Sequence, residues 1–245
     1  MERPGYKMIF LFILAGFSYA LQGNIKSDIY TAYISGDMQS WKQIMDEMDK
    51  NRSKKPGYVL ELVNYQYGYI AWCLGNNRED EAKKYLDLAE ENIEWLEKIR
   101  YNMSMVYAYK AAFYGYRIGL QTITAPFYGP KCIRYAKEAI ASNKDNPYGY
   151  IQYGNAQYYM PSIFGGSKQE AIDYFLRAEE LMEKSKEYSV NNWNYLNLLT
   201  SIANSYIEAR QPEKAKLYFE KILKIEPDYE WVKYNLYPQM LEDLK

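Results

Sequence analysis

The feature that most constrains this chain is a recurring punctuation: a helix start, then small and large residues at helical intervals. At Asn146-Pro147 an N-capping side chain precedes a proline suited to a first helical turn. The spacing predicts a helix from there to about Met160, stopped by Pro161. A second start follows at Ser167-Lys168-Gln169-Glu170, with Ser at the cap and Glu three residues on, the capping-box spacing. Behind it Ala171, Phe175 and Ala178 fall four and three residues apart, on one helical face. The same grammar returns at Gln211-Pro212-Glu213-Lys214, followed by Ala215, Phe219, Ile222 and then Pro227. The helix before it aligns Leu199, Ile202, Ala203 and Tyr206 on one stripe. An earlier unit carries Tyr67-Gly68, a turn at Gly75, and then Ala82, Leu86 and Ala89. No stretch reads as strand, which removes dinucleotide-binding folds. The expected fold is all-α. One helix pair cannot bury its own apolar face, so neighbouring pairs must stack to complete the core.

These residues resemble the tetratricopeptide repeat (TPR), whose pattern runs from a small residue in the middle of helix A through Gly, Ala, an aromatic, Ala and Pro. The last unit matches that spacing from Leu199 to Pro227 without a gap, while the units at Gly154 and Gly68 need longer turns. The resemblance implies an α-α superhelix of antiparallel helix pairs over residues 57–226. Residues 21–56 read as an atypical N-terminal helix pair, with helices over Ser27–Ser35 and Met38–Asp49. Residues 227–245 read as a capping helix in which Trp231 and Tyr234 cover the last exposed core, closed by Pro238. Between them, Tyr101–Leu120 reads as a long helix A and Lys131–Ser142 as its helix B, joined by a Thr122–Pro130 connection too long for an ordinary turn. The Pro161–Ala171 stretch, with its Phe-Gly-Gly turn, also looks like exported TPR proteins, including T components of TRAP transporters.

Residues 1–20 read as an export signal. Arg3 and Lys7 precede an apolar run from Met8 to Phe17, and Ser18 and Ala20 fit a small-x-small cleavage pattern. The alternative, an uncleaved anchor, has to reckon with a run about half the roughly 20 residues a membrane span needs. The expected location is therefore outside the cytoplasm, periplasmic or envelope-associated, with no transmembrane segment in the mature chain. Cys73 and Cys132 sit in apolar helical contexts and read as two free, buried thiols, a disulfide being the other reading.

Composition narrows the chemistry. The chain has no His, which forbids a Ser-His-Asp arrangement and removes the commonest metal ligand. Paired carboxylates occur, as at Glu90-Glu91 and Glu179-Glu180, but side by side on helix B, where solvated faces account for them. Net charge is -1 and the charges read as dispersed, so nucleic acid is not an expected partner. No catalysis, metal or cofactor is expected.

What remains is tyrosine, 29 of 245 residues. TPR arrays form their concave surface from helix A positions that do not pack within the repeat. Carrying that layout over presents Tyr65, Tyr69 and Trp72 from one unit, Tyr109 and Tyr116 from the next, and Tyr148, Asn155, Tyr158 and Tyr159 from the third. Asn197 and Asn204 continue the surface in the last unit. Tyr and Trp offer large contact area with a polar handle, so such a groove suits recognition. The expected function is a scaffold that holds a protein or peptide partner. The alternative is capture of a small ligand or glycan in a pocket walled by helix A and the Thr122–Pro130 connection, as an accessory to uptake.

Overall fold

The computed structural model of the chain describes residues 25–50 and 55–243. The expected export signal lies outside them. Every regular element among the described residues is helical. A helix over residues 25–34 (α1) pairs with α2 (Met38–Lys50). Then come α3 (Pro56–Gly75) with α4 (Glu79–Lys98), α5 (Met103–Leu120) with α6 (Ala125–Ser142), and α7 (Pro147–Tyr159) with α8 (Lys168–Glu183). A short helix α9 (Lys186–Ser189) leads to the pair α10 (Trp193–Glu208) and α11 (Pro212–Ile225). A π-turn over Val232–Leu236 runs into α12 (Tyr237–Asp243). From α3 onward the hairpin partners α3–α4, α5–α6, α7–α8 and α10–α11 pack on each other, and each hairpin packs on the next, α2 on α3, α4 on α5, α6 on α7 and α8 on α10, the arrangement of an α-α superhelix.

The starts lie where the capping residues put them. Asn146 accepts the Tyr148 amide at 3.0 Å, and its Nδ2 also donates to Ser104 Oγ at 2.8 Å, tying the start of α7 to α5. Ser167 accepts the Glu170 amide at 3.1 Å, while its own amide donates to the Gln157 carbonyl. The forward half of the capping box is made, and the preceding helix satisfies the other donor.

The small-against-large rule holds most plainly at Gly154. A Cβ built there would lie 2.5 Å from Phe175 Cε1, so only glycine lets α7 approach α8 over that ring. Gly68 obeys the same rule against different neighbours. Its missing Cβ leaves room for Trp193 Cη2 at 2.7 Å and Trp41 Cζ2 at 2.9 Å, from α10 and α2 rather than from its own hairpin partner.

Three sequence expectations are corrected. The Thr122–Pro130 connection is a single 3-10 turn, Thr122–Thr124, and α6 begins at Ala125. Pro126 suits the first turn of α6, and Pro130 is accommodated inside it, so two prolines that read as a loop belong to a helix. At the C-terminal end Trp231 and Tyr234 are 46% and 65% exposed, and Tyr229, Val232 and Met240 close the core instead. The helix also runs through Pro238. Finally, Glu179 is not solvated. It is buried, accepting Tyr218 Oη at 2.7 Å and Lys221 Nζ at 2.6 Å, which locks α11 to α8. Lys221 also reaches Glu183 at 2.7 Å. Burial opposes ionisation of Glu183, but Lys221 and the Tyr195 hydroxyl outweigh it and hold the carboxyl below its ordinary range.

Candidate functional site

The superhelix closes on itself. The A-type helices α1, α3, α5, α7 and α10 turn their inner faces toward one another, and aromatic rings fill the space between them. Trp193 of α10 meets Trp41 at 5.1 Å, Tyr33 at 5.7 Å and Tyr67 at 6.2 Å between ring centroids. The ends of the stack touch, with Tyr30 Oη donating to Glu226 at 2.8 Å and Tyr229 Oη to Tyr33 Oη at 2.7 Å. Polar groups are paired across the same interior. Asn64 Oδ1 accepts both Tyr109 Oη at 2.9 Å and Asn194 Nδ2 at 3.1 Å, and Gln152 Nε2 donates to Tyr67 Oη at 3.2 Å. Such pairing is what makes polar groups tolerable inside a core.

The open tyrosine groove expected from the sequence is therefore occupied by the chain itself. Tyr65, Tyr69, Tyr109 and Tyr148 are at most 6% exposed, so their rings form core and are closed to a partner. Tyr65 donates to Glu61 and Tyr69 to Glu81, leaving their hydroxyls satisfied as well. Burial drives the phenols of Tyr67, Tyr109 and Tyr148 above the ordinary tyrosine range, as expected for hydroxyls removed from water. The other candidates lie half-buried or outside. Tyr116 stacks on Tyr67 and donates to its carbonyl at 3.1 Å. Asn155 donates to Gln152 at 3.2 Å, and Asn197 accepts from Tyr33 at 3.4 Å. Asn204 is half-buried on α10. Trp72 lies under the Arg78 guanidinium, and Tyr158 under the Lys168 ammonium at 3.7 Å. Only Tyr159 of the eleven is well exposed, at 78%.

The expected concave groove is thus filled by the chain's own side chains. A cleft of about 870 Å³ runs between α4 and α6 with α5 as its floor. Its α4 wall is acidic, carrying Glu79, Asp80, Glu90, Glu94 and Glu97 with Lys83 among them. The opposite wall, from α6, presents Tyr128 and Lys131, and Phe113 and Leu120 lie at the bottom. Lys131 Nζ sits 5.3 Å from the Tyr114 ring and 5.5 Å from the Tyr128 ring. Two cations of the floor are already engaged. Lys110 meets Glu97 at 2.8 Å, and Arg117 meets Asp87 at 2.5 Å and Glu90 more closely still. Hydrogen bonds to Glu90, set against the cost of burial, hold the Arg117 guanidinium firmly protonated. Lys131 faces rings rather than a carboxylate, which leaves its charge available to a ligand.

Sequence reading missed this cleft because it is made by a B helix of one unit and the whole of the next. One signal was available. Residues 98–137 hold seven Lys and Arg and no Asp or Glu, against a net charge of -1 for the chain. The charges are therefore segregated rather than dispersed. Cys73 and Cys132 are both buried and unpaired. No helix among the described residues is long and apolar enough to cross a membrane.

No protein-family model matches this chain, and no curated protein matches it. Solved structures do share its shape. The HusA haemophore from Porphyromonas gingivalis superposes with a TM-score of 0.58 at 14% identity, over 74% of this chain and 92% of that one. A thermophilic TPR protein of Thermus thermophilus gives 0.58 at 15% identity, over 84% of this chain and 93% of that one. Neither lends support to the likeness to TRAP-transporter components. What they establish, with the helix pairing described above, is the fold: this chain is an all-α superhelix of TPR-like hairpins.

Proposed function

We propose that this protein is a non-catalytic binding scaffold of the envelope that holds an extended segment of a protein partner in the cleft between α4 and α6. The observation that carries the reading is the opposition of the two walls. An acidic α4 face and a Tyr128–Lys131 face stand across a floor that mixes Phe113 and Leu120 with the ion-paired Lys110 and Arg117, so a peptide finds complementary charge on both sides and apolar contact beneath. The TPR-like fold of the chain supports a protein partner, and the apolar run Met8–Phe17 supports export. Binding of a peptide library to the full mature chain, with and without Tyr128→Ala/Lys131→Glu, tests it. Peptides with basic side chains toward α4 and an acidic side chain toward Lys131 should be selected, and the double variant should weaken them about tenfold or more. Unchanged binding by a folded variant refutes the cleft as the site.

A second reading is favoured by the likeness to a haemophore: a tetrapyrrole in the same cleft. With no His in the chain, the Tyr128 oxygen would be a candidate to hold the iron, and Lys131 would meet a propionate. A haemin titration followed by absorbance separates the readings. A saturable Soret shift that Tyr128→Phe abolishes favours the tetrapyrrole; its absence leaves the peptide.

A further inference from the structure

The A-to-B connections of the hairpins lie on one rim of the stack, and they differ sharply in character. Those after α1, α3 and α10 are polar, built on Gly36-Asp37, Asn76-Asn77-Arg78 and Arg210-Gln211. The two in the middle carry large apolar side chains in full solvent. Ile123 is 86% exposed and Phe127 75% in the α5–α6 connection, and Ile163 is 84% and Phe164 72% exposed in the α7–α8 connection. The two connections belong to adjacent hairpins, since α5 packs directly against α7. Single exposed apolar residues are ordinary, but a group on two adjacent tips marks an interaction site.

Three observations identify the occupant. Ile123, Ile163 and Phe164 stand on 3-10 turns, Thr122–Thr124 and Ser162–Phe164, and Phe127 in the first turn of α6, rather than lining a concavity, so they suit a surface that yields around them. A lysine follows each tip by four residues, Lys131 after Phe127 and Lys168 after Phe164, neither of them facing a carboxylate, although Lys168 Nζ donates to the Tyr158 carbonyl and must swing outward to reach a headgroup. Behind the first tip, Tyr128 and Tyr114 lie beneath the Lys131 ammonium, a grouping of amphipathic rings with a cation of the kind that suits a membrane interface. The tip segments carry no carboxylate of their own. Residues 98–137 have no acidic residue, and neither do residues 146–169.

We infer that this rim docks the protein peripherally on an anionic lipid surface, with Ile123, Phe127, Ile163 and Phe164 entering the interface and Lys131 and Lys168 meeting the headgroups. A few partly buried apolar side chains together with a basic patch give reversible attachment rather than insertion. The inference does not rest on the peptide reading, because none of the four tip side chains lines the cleft; Lys131 alone is shared by the two surfaces.

Cosedimentation of the mature chain with vesicles tests it, using phosphatidylglycerol mixed equally with phosphatidylcholine against phosphatidylcholine alone. Binding to the anionic vesicles should be about tenfold stronger or more, and should fall as ionic strength rises. Ile163→Asp/Phe164→Asp should reduce it about tenfold or more while circular dichroism stays native. Ile123→Ser/Phe127→Ser provides the same test should the first variant misfold. Absence of binding to anionic vesicles overturns the inference, as does binding that neither folded pair of substitutions alters. A wild-type dimer in sedimentation velocity that the tip variants dissolve also overturns it, because the tips would then be a protein interface. Peptide binding in the cleft should be unchanged in both tip variants, so failure of one proposal leaves the other standing.

Discussion

Replacing Trp193 with alanine should destabilise the protein by about 3–5 kcal/mol, the range for removing a large aromatic from a packed core. The expectation follows from where the indole sits. Trp193 is 5% exposed and bridges α10 to Trp41 of α2, to Tyr33 of α1 and to the Gly68 notch of α3. Collapse around the vacancy is limited, because its neighbours belong to helices fixed by their own hairpin partners. Urea unfolding should show a lower midpoint at nearly unchanged slope. Trp231→Ala is the control. Its ring is 46% exposed, and the change should stay within about 0.5 kcal/mol. Equal losses for the two tryptophans would mean that the inner contacts do not hold the stack together.

Alkali should unfold this protein more sharply than acid. Burial raises the phenols of Tyr67, Tyr109 and Tyr148 above the ordinary value in the folded chain. A raised folded pKa gives stability that is complete below the unfolded value of about 10 and is lost as pH climbs beyond it, since the unfolded chain then releases protons the fold retains. Each tenfold gain in proton affinity on folding is worth about 1.4 kcal/mol, so a few such hydroxyls rival the roughly 5–15 kcal/mol that holds a domain together. Tyrosinate absorbance near 295 nm should therefore rise in two stages as pH increases. The first stage comes from phenols in contact with water, and the inner set appears together with loss of helical dichroism. A single smooth rise centred near pH 10, with the helices intact, would place the inner hydroxyls in water.

The hairpins were legible because their signals are local. Asn146 and Ser167 cap the helices that their positions in the sequence suggest, and Gly154 makes room for Phe175 within one hairpin. The inner surface was not legible, because its contacts join distant parts of the chain. Gly68 reads as a notch for its own partner helix, yet the ring that fills it belongs to Trp193. Tyr109 reads as a groove residue when a gently curving array is assumed, and in a tightly closed one the same position becomes core. Pro126 and Pro130 misled for a different reason. Proline in a first turn or near it is compatible with a helix, and two of them beside a glycine mimic a loop. The exposed tips at Ile163 and Phe164 lay inside a segment read only as a turn, where their apolar character had no assigned purpose.

The central claim is that the inner faces of α3 and α10 meet, leaving no open channel between them. Asn64 and Asn194 stand 130 residues apart in sequence and are joined by a 3.1 Å hydrogen bond. Cysteines introduced at both positions should therefore cross-link under mild oxidation or with a short bifunctional thiol reagent, in native buffer and not in denaturant, giving a looped monomer of altered gel mobility. The native thiols of Cys73 and Cys132, being buried, should stay reduced through the same treatment. Two introduced thiols that remain free in the folded protein would show an open superhelix and contradict the closure.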